Sequence, residues 1–130
     1  MATVDVLDNI FLDDRPRQVM GSGHACINWT FTLNNYRQED FTALDELFLS
    51  GKFKYMIYGK EICPTTGTPH LQGFLQMAKK IRFRGLKQLL GDKYHLEQAE
   101  HPWFAAEYCK KDGEWNEFGK FVAQVCSQYE

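Results

Sequence analysis

His70 and Gln72 stand two residues apart in the run TPHLQGFLQM. Alternate residues of a strand share a face and lie roughly 7 Å apart at Cα, near enough for one ion to touch both side chains. The imidazole offers a nitrogen and the carboxamide a carbonyl oxygen, and a nearby carboxylate would complete a site for a divalent ion. Glu61 is placed to supply it, because the preceding strand meets its hairpin loop there and pairing carries it toward His70. One carboxylate, one imidazole and one amide leave positions for water and phosphate, a mixture that suits manganese or magnesium better than structural zinc. The same spacing also fits a surface histidine and glutamine hydrogen-bonded across strands. Spacing alone leaves both readings open.

Tyr108 is the second candidate, with Lys111 three residues on and Phe104 one turn before. Residues three apart are neighbours on a helix surface. A phenol beside an ammonium group and near a metal could attack a phosphodiester. Its reference pKa of about 10 means that it needs help to lose its proton. Taken alone, Tyr108 reads better as a packed tyrosine with its hydroxyl in solvent.

The elements that must hold these groups follow from the apolar periodicity. In CINWTFTLNN, Ile27, Trp29, Phe31 and Leu33 alternate with Asn28, Thr30, Thr32 and Asn34, the pattern of a half-buried strand. RQEDFTALDELFL places Phe41, Leu44 and Phe48 at helical spacing behind an acidic first turn. FKYMIYGK reads as a second strand and EICPTTGT as a loop leading into the His70 strand. IRFRGLKQLLG predicts a basic helix with Ile81, Phe83, Leu86 and Leu90 inward and Gly91 as its stop. YHLEQ alternates again. HPWFAAEYCKKDG predicts a helix with Pro102 at its first position and Gly113 as terminator, its core stripe formed by Pro102, Ala105, Ala106 and Cys109. EWNEFGKF closes with a fifth strand.

The order β-α-β-β-α-β-α-β predicts an α+β fold, a split βαβ (ferredoxin-like) five-stranded antiparallel sheet with three helices. In that plan the first and third strands are central neighbours. Thr30 and Thr32, His70 and Gln72, and His95 and Glu97 then converge on the second face. That face is expected to be open, with Leu71, Gly73, Leu75 and Met77 turned to the core and Phe74 and Gln76 turned outward. His95 and Glu97 read as a structural hydrogen bond or as supports of an ion site. Residues 1–25 lack sustained periodicity and read as a tail, 26–121 as the folded domain, and 122–130 as a tail or the start of a linker.

The totals set bounds. A 130-residue chain that is 44% apolar and 15% aromatic has enough material for a core and is too apolar for a disordered chain. No apolar run approaches the roughly 18 residues of a membrane span, so no membrane role is expected. The four cysteines form neither a C-x-x-C pair nor a zinc spacing, which points to reduced thiols and an intracellular setting. The net charge of −2 opposes nucleic-acid binding, but residues 79–93 hold six bases against one acid. A local patch is what phosphate attraction needs. Charge alone still favours a solvated helix face.

Three segments taken together narrow the field. FTLNN (31–35), HLQGF (70–74) and YCKK (108–111), in this order on these elements, resemble the three motifs of the viral replication-initiator (Rep) endonucleases of the HUH superfamily. The likeness is to the circovirus forms first and nanovirus-like initiators next, and it spans about Cys26 to Phe121. It implies an origin-specific single-stranded DNA endonuclease and strand-joining enzyme that starts and ends rolling-circle replication. Tyr108 would be the nucleophile that forms a covalent 5′-phosphotyrosine, and Lys111 the lysine of the same motif. Glu61, His70 and Gln72 would be ligands of Mn2+ or Mg2+, with glutamine in place of the superfamily's second histidine. Expected DNA contacts are Thr32, Asn34 and Asn35 at the sheet, Phe74 stacked on a base or else simply packed, and Lys79, Lys80, Arg82, Arg84 and Lys87. The implied partner is a single-stranded viral origin with its stem-loop; the implied setting is the host nucleus, with self-association of the full-length protein. Such initiators usually continue into a helicase domain. No G-x-x-x-x-G-K-[ST] occurs here, so the chain is expected to be the nuclease part alone. The tail before Cys26 is longer than circoviruses usually have. Two rivals stand beside this reading: a non-catalytic single-strand-binding module on an RNA-recognition-like sheet, and a small metalloenzyme acting on a soluble substrate.

Overall fold

Strict alternation makes the first strand. Trp29, Phe31 and Leu33 are buried on one side of β1 (Cys26–Asn34), and the strand stops where Asn35 turns into the left-handed region at φ 56°. Asparagine tolerates that conformation better than most residues, which gives the second asparagine of FTLNN a local structural task. The remaining elements are α1 (Gln38–Leu49), β2 (Phe53–Ile62), β3 (Pro69–Ile81), α2 (Phe83–Leu90), β4 (His95–Gln98), α3 (Pro102–Tyr108) and β5 (Trp115–Gly119). The structure, a computed structural model, describes residues 24–123. The expectations for the two tails fall, beyond these limits, outside the described residues.

The strands lie in the order β4-β1-β3-β2-β5, and every neighbouring pair is antiparallel. This is the expected α+β arrangement, with β1 and β3 adjacent at its centre. Leu44 of α1 and Leu86 of α2 are fully buried against Trp29, Phe31, Leu71, Met56, Leu75 and Leu96, which forms the main core. Apolar burial of this kind contributes about 1.5–3 kcal/mol per large side chain, so this face carries most of the stability. Tyr94 and Leu96 turn to it while His95 and Glu97 turn away, as the alternation of YHLEQ predicts.

The expectation that the second face is open is corrected. α3 covers its middle, where Tyr55, Ile57, Phe74, Ala106 and Cys109 form a second, smaller core. His70, Gln72, Phe74 and Gln76 are all buried, at 3%, 1%, 0% and 0% exposure. The helix can lie so close because the stripe it presents is small, with Ala105 packed beside Ala106 and Cys109. Trp103 and Phe104 of the same helix remain more than half exposed.

The chain after β5 adds a strap across the same face. Phe121 packs against Tyr55, Phe74 and Trp103, with ring centroids 5.6, 6.2 and 5.3 Å apart. Gln76 then treats Val122 as a strand partner. Its Nε2 donates to the Val122 carbonyl at 3.0 Å and to Asn28 Oδ1 at 3.0 Å, while the Val122 N–H donates to its Oε1 at 2.8 Å. A buried carboxamide is tolerated only when its donors and acceptors are satisfied, and here they are.

Candidate active site

Register, more than loop geometry, assembles the site. β2 continues to Ile62, beyond the strand end the sequence suggests, so Glu61 pairs directly with His70, which faces Asn34 of β1 on its other side. The next row on the same face reads His95, Thr32, Gln72, Gly59 and Trp115. The carboxylate, imidazole and amide that the spacing singled out therefore do share one surface.

His70 Nε2 donates to Glu61 Oε1 at 2.8 Å, and both side chains are only 4% exposed. Thr32 Oγ1 donates to Gln72 Oε1 at 3.3 Å. Glu61 Oε2 is buried and accepts no hydrogen bond, although Lys111 Nζ approaches it to 3.4 Å. A buried carboxylate oxygen without a hydrogen bond is costly, and it is also what a cation ligand looks like before the ion arrives. Among the described residues no group of three or more His, Cys, Asp or Glu side chains is gathered. The set is one of each of three donor types, oxygen, nitrogen and amide oxygen. It fits a hard or borderline divalent ion and lacks the thiolates or multiple imidazoles of a structural zinc site.

Tyr108 ends α3, and turns of the tighter i→i+3 kind follow it, with the Lys111 N–H donating to the Tyr108 carbonyl at 3.2 Å. These turns keep Lys111 over the Tyr108 ring, its Nζ 5.2 Å from the centroid. One ammonium thus bridges the Tyr108 ring and the buried Glu61–His70 pair. Burial pushes the Lys111 pKa down, but attraction from Glu61, with Tyr108 and Asp112 behind it, outweighs this and the pKa is raised. The lysine is held as a cation.

A cleft opens beside the tyrosine. Tyr108 and Gln72 both line it, together with Thr30, Glu97, His101 and Phe104. Sequence reasoning passed over His101, and also Gln98 and Ala99, which line the same cleft. Gln98 ends β4, paired with Trp29, while Ala99 and His101 belong to the β4–α3 connection, whose residues carry no periodic signal. His95 and Glu97 bond to each other at 2.9 Å on this side of the sheet.

The expected DNA contacts divide into groups. Thr32 and Asn34 flank the His70–Gln72 surface, and Asn35 is exposed at the end of β1. Phe74 is wholly buried under α3 and Phe121, so it packs and does not present a face to a base. Lys79 and Lys80 lie on the far part of β3, Arg82 caps α2, and Arg84 lies within it; all four are exposed. Lys79 lies nine positions along the strand from His70, about 30 Å at the usual rise. Lys87 donates to the Tyr94 carbonyl and leans on Phe83, which engages it within the fold.

A family model described as "Putative viral replication protein" matches residues 26–112, a stretch that holds Glu61, His70, Gln72, Tyr108 and Lys111. The replication-associated protein of human associated cyclovirus 1 is 42% identical over 90 residues, 68% of this chain and 32% of that protein. That of canary circovirus is 44% identical over 93 residues, covering 69% and 30%. Para-Rep C2 of the milk vetch dwarf C2 alphasatellite is 39% identical over 89 residues, covering 68% and 32%. The chain thus spans about a third of the length of the curated relatives it matches. It belongs to this family of viral replication proteins, with circovirus replication-associated proteins among its relatives.

Proposed function

We propose that the chain is a metal-dependent single-stranded DNA endonuclease and strand-joining enzyme, acting at a viral replication origin. The observation that carries this reading is the Lys111 bridge. A single ammonium lies 3.4 Å from Glu61 and 5.2 Å from the Tyr108 ring, which ties a helix-borne phenol to a buried carboxylate–imidazole pair. A packed tyrosine in a plain binding module has no need of that company.

In the proposed reaction the Tyr108 oxygen attacks the scissile phosphorus. The bond from phosphorus to the 3′ oxygen breaks, a 5′-phosphotyrosine forms, and the departing oxygen takes a proton to become a 3′-hydroxyl. The phenol gives up one proton in the same step, so protons and charge balance. Attack by a new 3′-hydroxyl on the phosphotyrosine reverses the sequence and joins the strand. No nucleoside triphosphate is needed, since one phosphodiester-type bond replaces another.

Glu61, His70 and Gln72 would hold Mn2+ or Mg2+, and such an ion supplies Lewis-acid polarisation of a non-bridging phosphate oxygen. Thr32 fixes the amide of Gln72 by its hydroxyl. Lys111 offsets charge that builds on the phosphate and holds the phenol by its ring. Thr32, Asn34 and Asn35 would meet the DNA strand at the sheet. Lys79, Lys80, Arg82 and Arg84 form a separate phosphate-attracting patch. Binding to an origin stem-loop, self-association of a longer protein and work in the host nucleus belong to the same proposal.

The test is incubation with Mn2+ and labelled single-stranded origin DNA, followed by denaturing electrophoresis. The intact protein is expected to yield a covalent adduct. Tyr108→Phe, or chelation of the metal, is expected to remove it. Equal cleavage by Tyr108→Phe would sink the nucleophile assignment, and full activity of His70→Ala in chelator would sink the metal assignment.

A further inference from the structure

Gly59 lies within β2, and the register sets it between Gln72 of β3 and Trp115 of β5. Glycine inside a strand forgoes side-chain packing and gives up more backbone entropy than any other residue. It therefore often marks a place where another backbone comes close. Here the neighbour is the end of α3. A Cβ built on Gly59 would stand 1.9 Å from the carbonyl oxygen of Cys109, 3.1 Å from its carbonyl carbon and 3.4 Å from the carbonyl oxygen of Glu114. These are backbone atoms, so no change of rotamer relieves the clash. Gly73 is different, because a Cβ there would meet ring atoms of Phe31.

Cys109 follows Tyr108 directly and caps α3. The distance between the sheet and the end of the helix is thus set one residue from the Tyr108 Cα and two from Lys111. Gln72, beside Gly59 in the same row, shares a cleft with Tyr108. One turn earlier, Ala106 is 2% exposed and makes a second close approach of the helix to the sheet.

We propose that Gly59 is a positioning residue for the strand-transfer reaction. By carrying no side chain it lets the Cys109 carbonyl settle on the sheet, and this fixes where the Tyr108 oxygen stands over the His70–Gln72 surface. The inference rests on the endonuclease reading of the same site. Cβ atoms essentially never approach another heavy atom closer than 3.0 Å. Gly59→Ala must therefore move the helix end or the strand by roughly an ångström, a displacement that can slow a reaction on the order of 100-fold.

The experiment compares wild type, Gly59→Ala and Ala106→Val on a labelled single-stranded oligonucleotide that the wild type cleaves with Mn2+. Three quantities are read: the single-turnover rate of adduct formation, the affinities for Mn2+ and oligonucleotide, and amide hydrogen exchange without metal or DNA. The expected result for Gly59→Ala is a rate about 100-fold lower with both affinities within about threefold of wild type. Exchange should accelerate over residues 105–111 and stay slow in β1 and β3. A wild-type rate in Gly59→Ala overturns the inference, and so does a parallel loss of rate and affinities, which would mark a general structural role. Should Gly59→Ala fail to fold, Ala106→Val decides, since it lifts the same helix. A reaction about tenfold slower with intact binding supports the inference, and an unchanged rate overturns it. If the wild type forms no adduct on any single strand, the endonuclease reading falls first and takes this inference with it.

Discussion

Lys111 is the residue on which the site's charge balance turns. Its side chain is 39% exposed, yet that of Glu61, which it faces, is buried at 4%. Removal of that carboxylate should therefore be felt at the lysine. Glu61→Gln keeps the shape and deletes the charge, so the raised Lys111 pKa is expected to fall toward the ordinary lysine value, readable by carbon NMR of its Cε. The sign follows from the attraction: an acid favours the charged lysine, and its loss favours the neutral one. An unchanged titration would mean that Asp112, 3.4 Å away, holds the lysine instead. The pairs His70–Gln72 and Tyr108–Lys111 were legible from two-residue and three-residue spacings. Glu61 was legible because antiparallel pairing is predictable once a hairpin is placed. The buried state of His70 and Gln72 was not, because alternation says which side chains share a face and not what covers that face.

Among the elements, the α1–α2 side was readable for a plain reason. Large aliphatic and aromatic residues recur there at periods of 2 and 3.6, as in Trp29, Phe31 and Leu33 or Phe41, Leu44 and Phe48. α3 hides better, since its inward stripe is alanine and cysteine. A signal for its cover did exist. Tyr55, Met56, Ile57 and Tyr58 form an unbroken apolar run, which is how a strand buried on both faces reads. The acidic first turn of α1 also does more than its charge suggests. Asp40 accepts the Arg37 N–H at 2.8 Å and the Lys93 ammonium at 2.5 Å, joining the start of α1 to the loop before β4. Burial pushes the Asp40 carboxyl pKa up, but the bonds from Lys93 and Arg37 overcome this and hold it below the usual value. Stability from this group is thus present above the unfolded carboxylate pKa of about 3.9 and is lost as pH falls through the lower folded value. Asp40→Ala should cost about 1.5–3 kcal/mol near neutral pH, the figure for hydrogen bonds to charged groups. The low end is expected because Lys93 is 57% exposed. Denaturant melts of the two proteins should converge in acid, and a gap that persists there would remove the charge explanation.

For the molecule as a whole, the basic cluster and the chemistry sit apart. Lys79 and Lys80 lie at the far end of β3, about 30 Å along the strand from His70, and Arg82 and Arg84 lie at the start of α2. A DNA strand that touches both must cross the sheet. Neutralising Lys79 and Arg84 together is expected to weaken single-strand affinity and to flatten its salt dependence. The slope of log K against log salt should drop by about 0.7 for each phosphate charge left without its cation. The adduct rate at saturating DNA should stay near that of wild type. An unchanged salt slope would show that this patch is only solvated surface, the reading that charge alone prefers.

The Phe121–Val122 strap carries one more implication, for the order of events during translation. A chain is made from its amino terminus, at about 5–20 residues per second, and early segments fold first. Apart from β5, whose Phe118 packs against Phe48 and Tyr58, every element that builds the α1–α2 side has emerged by Gln98, whereas the slot around Gln76 must wait for Val122. The nascent protein is thus expected to acquire most of its body before the strap closes over Phe74, Gln76 and the start of α3.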